Sequence, residues 1–207
     1  MKKYFAHYKD RDFLISFFTA ILFLAISLII NFYAGQYATE SASSSVTDIV
    51  LSNIRVFDVG YIFTYGAVVF WAFVLLLGFY YPRKFPFVLK SIALFTVIRA
   101  VFISLTHIGP FPTQLVMETG NILSKFTFGG DLFFSGHTGL PFLMALVFWK
   151  NKVLRYIFLI SSVIFGAVVL MGHIHYSIDV LGAFFITYTI FHIALFLFKK
   201  DHLAFSA

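Results

Sequence analysis

What most constrains this chain is a succession of apolar runs, most of them long enough to cross about 30 Å of hydrocarbon. They fall near residues 13–33, 59–81, 87–108, 137–149, 154–172 and 178–198. None alternates polar and apolar residues at period two, so helices are expected and an outer-membrane barrel is not. Composition points the same way: 60% of the residues are hydrophobic and 12% are charged, far from the averages of soluble domains. The expected fold is therefore all-α, a polytopic membrane protein with about six transmembrane helices. No hydrophilic stretch is long enough for a second domain, and residues 1–207 are expected to form a single transmembrane domain.

The basic residues set the expected orientation. Lys2, Lys3, Lys9 and Arg11 precede the first run, and Arg83, Lys84 and Lys90 flank the second turn. Lys150, Lys152 and Arg155 follow the fourth run, and Lys199 and Lys200 the last. The alternate connections carry only Arg55 and Lys125. By the positive-inside bias both termini are expected to be cytoplasmic, with the N-terminal segment read as an uncleaved signal anchor. This boundary placement also accounts for most of the net charge of +6, so no nucleic-acid surface is inferred. There is no cysteine, which removes disulfides, thiolate catalysis and thiolate metal sites.

Two motifs then fall on one expected side, the extracytoplasmic one. The first is Gly130-Asp131-Leu132-Phe133-Phe134-Ser135-Gly136-His137-Thr138 and the second is His173-Ile174-His175-Tyr176-Ser177-Ile178-Asp179. Four residues separate His175 from Asp179, so on a helix the carboxylate would sit one turn from the imidazole on the same face, where it can hold tautomer and basicity. Ionisable pairs in or near a span are costly and face the protein interior. A histidine that attacks phosphorus, with a second that protonates the leaving oxygen, supports phosphoryl chemistry without a metal. Ser135-Gly136 alone reads as an ordinary helix cap. Both motifs precede helices, whose free N–H groups favour an oxyanion. From His137 to Lys150 is about 20 Å of helix at ~1.5 Å per residue, so His137 is expected below the membrane boundary. Arg99 reaches a similar depth from the third run.

The same residues carry a family resemblance. Both motifs, the second continued through Val180-Leu-Gly-Ala-Phe-Phe-Ile-Thr187, resemble the third and fourth signature motifs of sphingomyelin synthases and their relatives. Those enzymes lie within the type 2 phosphatidic acid phosphatase superfamily. Arg99-Ala-Val-Phe-Ile-Ser-Leu-Thr-His-Ile-Gly-Pro110 is similar, less closely, to the arginine-led second motif. The resemblance covers about residues 95–195. It implies that His175 is the nucleophile, Asp179 its partner, and His137 the acid that protonates the departing alkoxide and then serves as base. The usual lipid-phosphatase arginines are absent: Lys90 and Arg99 have a different spacing, and Val168-Val169 stand where Ser-Arg would be. Arg99 is thus the main candidate to hold the substrate phosphate, because its fork suits two oxygens. Asp131, Ser135 and His173 are candidates for supporting these groups rather than touching substrate.

The expected function is a metal-independent lipid phosphotransferase without cofactor. It would move a phosphate or phospho-headgroup from a phospholipid or lipid phosphate donor, through a phosphohistidine, to a lipid hydroxyl or to water. A simple lipid phosphate phosphatase is the alternative. From another class, a histidine-ligated membrane cytochrome or metal transporter would use His107, His137, His173 or His192 as ligands, but needs neither Asp179 nor Ser135-Gly136. The connection 34–58, rich in serine, has no role legible in the sequence.

Overall fold

The computed structural model describes residues 10–115 and 132–206, and side chains as far as Leu203. Asp131 and Lys125 lie outside the described residues. Within them the chain is helical, with no strand. The helices are α1 (Arg11–Glu40), α2 (Gly60–Tyr80), α3 (Phe85–Leu105), α4 (Gly136–Val147), α5 (Lys152–Met171), α6 (Ser177–Leu197) and α7 (Lys199–Ser206). Among the described residues, five helical segments are long and apolar enough to span a membrane: α1, α2, α3 with its leading turn, α5 and α6. The remaining apolar run, the fourth in chain order, is the 12-residue α4, about 18 Å at 1.5 Å per residue. It starts at the cap of Ser135, whose hydroxyl accepts the Thr138 N–H.

The most buried of the five is the α3 segment. α1 lies along it, and α4 is packed among α3, α5 and α6. Small residues make the first contact possible: α1 buries Ala20, Ser27, Gly35 and Ala38, and such a face lets two helix backbones approach where lipid supplies no hydrophobic drive. The core around α4 is aromatic and aliphatic, with Phe87, Phe95, Phe134, Leu143, Met144 and Phe158 fully buried.

The first helix runs past its apolar stretch. Residues 34–40, expected as loop, continue α1 through Glu40, where Gln36 donates to Glu40 at 3.0 Å and the Thr39 hydroxyl to the Gly35 carbonyl at 2.8 Å. The Gln36–Glu40 pair is of the i, i+4 kind that supports a helix beyond its hydrophobic run. The connection proper begins at Ser41 and folds back over the bundle. Ser43 N–H donates to the His107 carbonyl at 2.8 Å and Gly109 N–H to the Ser44 carbonyl at 3.2 Å. Gly109 is required there, since a β-carbon would stand 2.1 Å from the Ser43 carbonyl oxygen.

Candidate active site

His175 sits in the short passage between α5 and α6, and two local signals define that passage. α5 ends in a Schellman arrangement: Ile174 N–H bonds the Val169 carbonyl at 2.8 Å and His173 N–H the Leu170 carbonyl at 3.0 Å. His173 takes the left-handed backbone this ending requires, φ 52°, a conformation in which histidine is among the better tolerated non-glycine residues. α6 then starts at Ser177, because Asp179 reaches back to accept the Tyr176 N–H at 2.9 Å. His175 therefore precedes the helix, and its spacing to Asp179 spans the cap rather than a full helical turn.

That geometry fixes the imidazole. Nδ1 of His175 lies 2.8 Å from the Leu132 carbonyl and 3.5 Å from Asp179 Oδ2. A carbonyl only accepts, so Nδ1 carries the hydrogen and, in the neutral ring, the lone pair is on Nε2. His175 is 5% exposed and Asp179 is fully buried. Oδ1 of Asp179 has no hydrogen-bond partner among the described residues, leaving charge in reserve beside the ring. The carboxylate expected to be the tautomer's holder is thus the second contact, and the backbone of the other motif is the first.

The two motifs are tied directly. Ser135 N–H donates to the Asp179 carbonyl at 3.2 Å, and the Ser135 hydroxyl accepts from the Thr138 hydroxyl at 3.2 Å. Gly136 and His137 form the first turn of α4 immediately afterwards. His137 lies within electrostatic reach of both His175 and Arg99. Its ring is stacked on Phe63 at 3.9 Å and meets the edge of Phe165 at 5.8 Å. Arg99, 8% exposed on α3, donates from Nε to the Phe134 carbonyl at 3.0 Å. The place where a β-carbon of Gly136 would be is 3.5 Å from that same Nε. Arg99 thus belongs to the cluster and lies against the residue before His137.

His173 points elsewhere. Its Nδ1 pairs with the Thr113 hydroxyl at 2.7 Å and its ring meets Phe111 edge-on at 5.3 Å. It is 2% exposed and packs against these two side chains. His107 closes the end of α3 by contacting the Ser104 carbonyl at 3.0 Å, and His192 packs beside Tyr188 at 4.3 Å. Among the described residues, no three His, Asp or Glu side chains gather as a metal-binding group.

Three contributors escape a reading of the sequence. One is the Leu132 carbonyl, a backbone atom. The second is Asp48, in the connection with no assigned role. Oδ2 accepts the Ser177 N–H at 2.7 Å at the start of α6, while Oδ1 accepts the Val50 and Leu51 N–H groups at 2.8 and 3.1 Å. Burial alone would raise its pKa, but donation from Leu51, Ser177 and Val50 outweighs it and holds the carboxyl below the usual 3.8. The third is Tyr176, 1% exposed. Its hydroxyl donates to the Gly109 carbonyl at 2.8 Å and accepts the Val46 N–H at 3.2 Å. Asp48 and Tyr176 hold the connection between α1 and α2, the end of α3 and the start of α6 together around His175. The scarcity of acidic residues, nine in the chain, was the available signal for Asp48; nothing marked its partner.

Residues 129–196 match the family model described as PAP2 superfamily C-terminal. The matched stretch contains His137, His175 and Asp179, and the match supports membership of the type 2 phosphatidic acid phosphatase superfamily. No curated protein and no solved structure matches the chain.

Proposed function

We propose that this chain acts as a member of the type 2 phosphatidic acid phosphatase superfamily and transfers a phosphate or phospho-headgroup from a donor lipid, through a phosphohistidine at His175, to a lipid hydroxyl or to water. The family match over residues 129–196 supports a lipid phosphatase or phosphotransferase activity in general. The observation that carries the finer reading is the 2.8 Å contact of His175 Nδ1 with the Leu132 carbonyl, which leaves Nε2 as the nucleophilic nitrogen.

In the first step Nε2 forms a bond to phosphorus while the bond from phosphorus to the leaving oxygen breaks, and protonated His137 gives that oxygen its proton. The phosphorylated ring keeps its Nδ1 hydrogen and is positive, a charge that Asp179, 3.5 Å away, compensates. In the second step water or a lipid hydroxyl attacks phosphorus, neutral His137 takes its proton, and the N–P bond breaks. Arg99 and the first N–H groups of α4 favour the charge on the phosphoryl oxygens throughout. No step in this scheme calls on a metal or a cofactor. The likeness to sphingomyelin synthases favours headgroup transfer over hydrolysis, and the distribution of basic residues favours an extracytoplasmic site.

Rapid quenching with a lipid phosphate labelled at phosphorus tests the intermediate. The expected result is an acid-labile, alkali-stable label on the peptide containing His175, absent from His175→Ala; a wild-type protein that turns over without ever being labelled overturns it. Lipid profiling of the products separates the two outcomes, with free phosphate marking hydrolysis and a new headgroup-bearing lipid marking transfer. Turnover is expected to persist in excess chelator. For His137→Ala the rate should fall ~10²–10⁴-fold, and a donor with a better leaving group should recover part of it.

A further inference from the structure

Between α2 and α5 runs an open apolar groove of about 720 Å³, within the size range of lipid and small-molecule sites. Its floor is made by Phe70, Phe158 and Phe165, all buried. Tyr61, Tyr65 and Val69 form one rim and Ile157 and Ile164 the other, and all five are exposed. The helices come close at Gly66, where a β-carbon would stand 3.0 Å from the Phe165 ring. The one hydroxyl on the α5 side, Ser161, is already spent on the Ile157 carbonyl at 2.8 Å. The wall therefore offers hydrocarbon a continuous surface.

The groove has a direction and a length. Phe57 N–H bonds the Met171 carbonyl at 2.9 Å, which sets the start of α2 beside the end of α5 nearest His175. From Tyr61 to Phe73 the groove descends for about 18 Å at 1.5 Å per residue, a little more than half of the ~30 Å hydrocarbon thickness. That is the depth of one leaflet. At the upper part, the Phe165 ring that closes the groove is the ring that meets His137 at 5.8 Å, and Phe63, one turn before Gly66, is stacked on His137 itself.

We propose that this groove seats one acyl tail of the substrate lipid, drawn from the leaflet on the His137 side, and so sets how deep the phosphate lies against His137 and His175. The inference rests on the reading of that site as one acting on lipid phosphates. Lipid tails are as apolar as the groove, so its occupant gains no hydrophobic energy over the bulk bilayer. What the groove supplies is position, through the aromatic floor shared with His137, and position is what the reacting atoms need. A tail running from the Phe165 level down past Ile157 would fix the headgroup depth; a tail that ends above Ile157 would fix it less well.

Two measurements test this on the full chain in lipid nanodiscs. The first compares kcat/KM for dihexadecanoyl and dioctanoyl phosphatidic acid in wild type and in Ile157→Trp, which obstructs the deep end about 12 Å below Phe165 by helix rise. The long-tail to short-tail ratio is expected to fall about ten-fold or more, equivalent to ~1.4 kcal/mol or more in the barrier difference. An unchanged ratio, whether both rates hold or both fall together, overturns the proposal. The second irradiates wild type with a phosphatidic acid carrying a diazirine near the end of its tail and maps the adducts. Labelling of the groove, displaced by unlabelled long-tail phosphatidic acid and not by the matching diacylglycerol, is expected. Labelling that diacylglycerol displaces equally, or that misses α2 and α5, means bulk contact only and overturns it. Displaceable labelling in a protein that turns over no lipid phosphate would instead sink the chemistry proposed for His175 and leave the groove assignment standing.

Discussion

At the His175 end of the bundle, buried charge is held by backbone atoms. His175 leans on the Leu132 carbonyl, Asp179 on the Tyr176 N–H, Arg99 on the Phe134 carbonyl and Asp48 on the Ser177 N–H. At the opposite end Lys90 pairs with Asp201 at 2.7 Å, and both contact the Ser16 hydroxyl. That second cluster ties α1, α3 and α7 together and satisfies itself: cation meets anion, and the hydroxyl fills a remaining position. At the first end His175 and Asp179 are each oriented by a backbone group and lie 3.5 Å apart, so Nε2 of the neutral ring stays open to a further partner. The contrast separates a fastening from a site. A Lys–Asp pair neutralises both members, whereas a carbonyl holding Nδ1 leaves Nε2 reactive and Asp179 Oδ1 without a hydrogen-bond partner among the described residues.

Substitutions at the two ends sharpen this contrast, and the largest effect is expected at His175, the proposed nucleophile. His175→Ala removes the attacking atom and should lower turnover by ~10⁴-fold or more, with Asp179→Asn milder at ~10²-fold because orientation and charge are weakened and the nitrogen stays. Retention of wild-type turnover by His175→Ala would erase the distinction between the two ends. Arg99→Lys comes next. The charge is kept, but the planar fork and its bond to Phe134 are lost, and kcat should fall ~10²-fold, in the range of one lost oxyanion donor. A normal rate in Arg99→Lys would make Arg99 a fastening like Lys90.

Asp48→Asn probes a residue that acts through others. It should lower kcat several-fold, with KM changed less, and cost about 1–2 kcal/mol of stability, the scale of a lost helix cap. The pH dependence has a definite sign. Because the folded pKa of Asp48 is held below 3.8, its contribution is fully present above 3.8 and is lost as pH falls through the depressed value. Between pH 5 and 8 wild-type activity should therefore show no titration from this group. Thermal unfolding of wild type and Asp48→Asn should converge only in strong acid; convergence near neutrality would contradict the clamp. The smallest effect on turnover is expected at the far end. Lys90→Met leaves Asp201 without its cation and should destabilise by up to about 3 kcal/mol, while the kcat of the folded fraction stays near wild type. A hundred-fold loss of kcat there would show that the two ends are coupled.

How far the site was legible varies from residue to residue. His137, His175 and Asp179 announced themselves as ionisable groups beside long apolar runs, where such groups are costly. Arg99 stood out for the same reason, and it does lie beside the segment that carries His137, with its phosphate-binding role left for experiment. His173 was harder. The left-handed turn that ends α5 sends its ring toward Thr113 and Phe111, and only backbone conformation decides that. The spacing of His175 to Asp179 suggested one helical face, but Asp179 caps the helix at Tyr176 and thereby puts His175 outside it.

The sequence by itself determined the helical membrane architecture, because apolar runs of bilayer length have few other ways to satisfy their backbone. It also placed two histidine motifs at one end of that bundle, since chain length between them allows a single return across the membrane. Tertiary structure alone decided which atoms hold the imidazole, what the connection between α1 and α2 does, and where an apolar groove opens. The Leu132 carbonyl reaches His175 across 43 residues, Asp48 reaches Ser177 across 129, and Phe165 joins the groove to His137 from a helix on the far side of α4's start. Contacts of that kind depend on how the helices cross, and backbone carbonyls and N–H groups are present at nearly every residue, so no residue type marks the one that will matter.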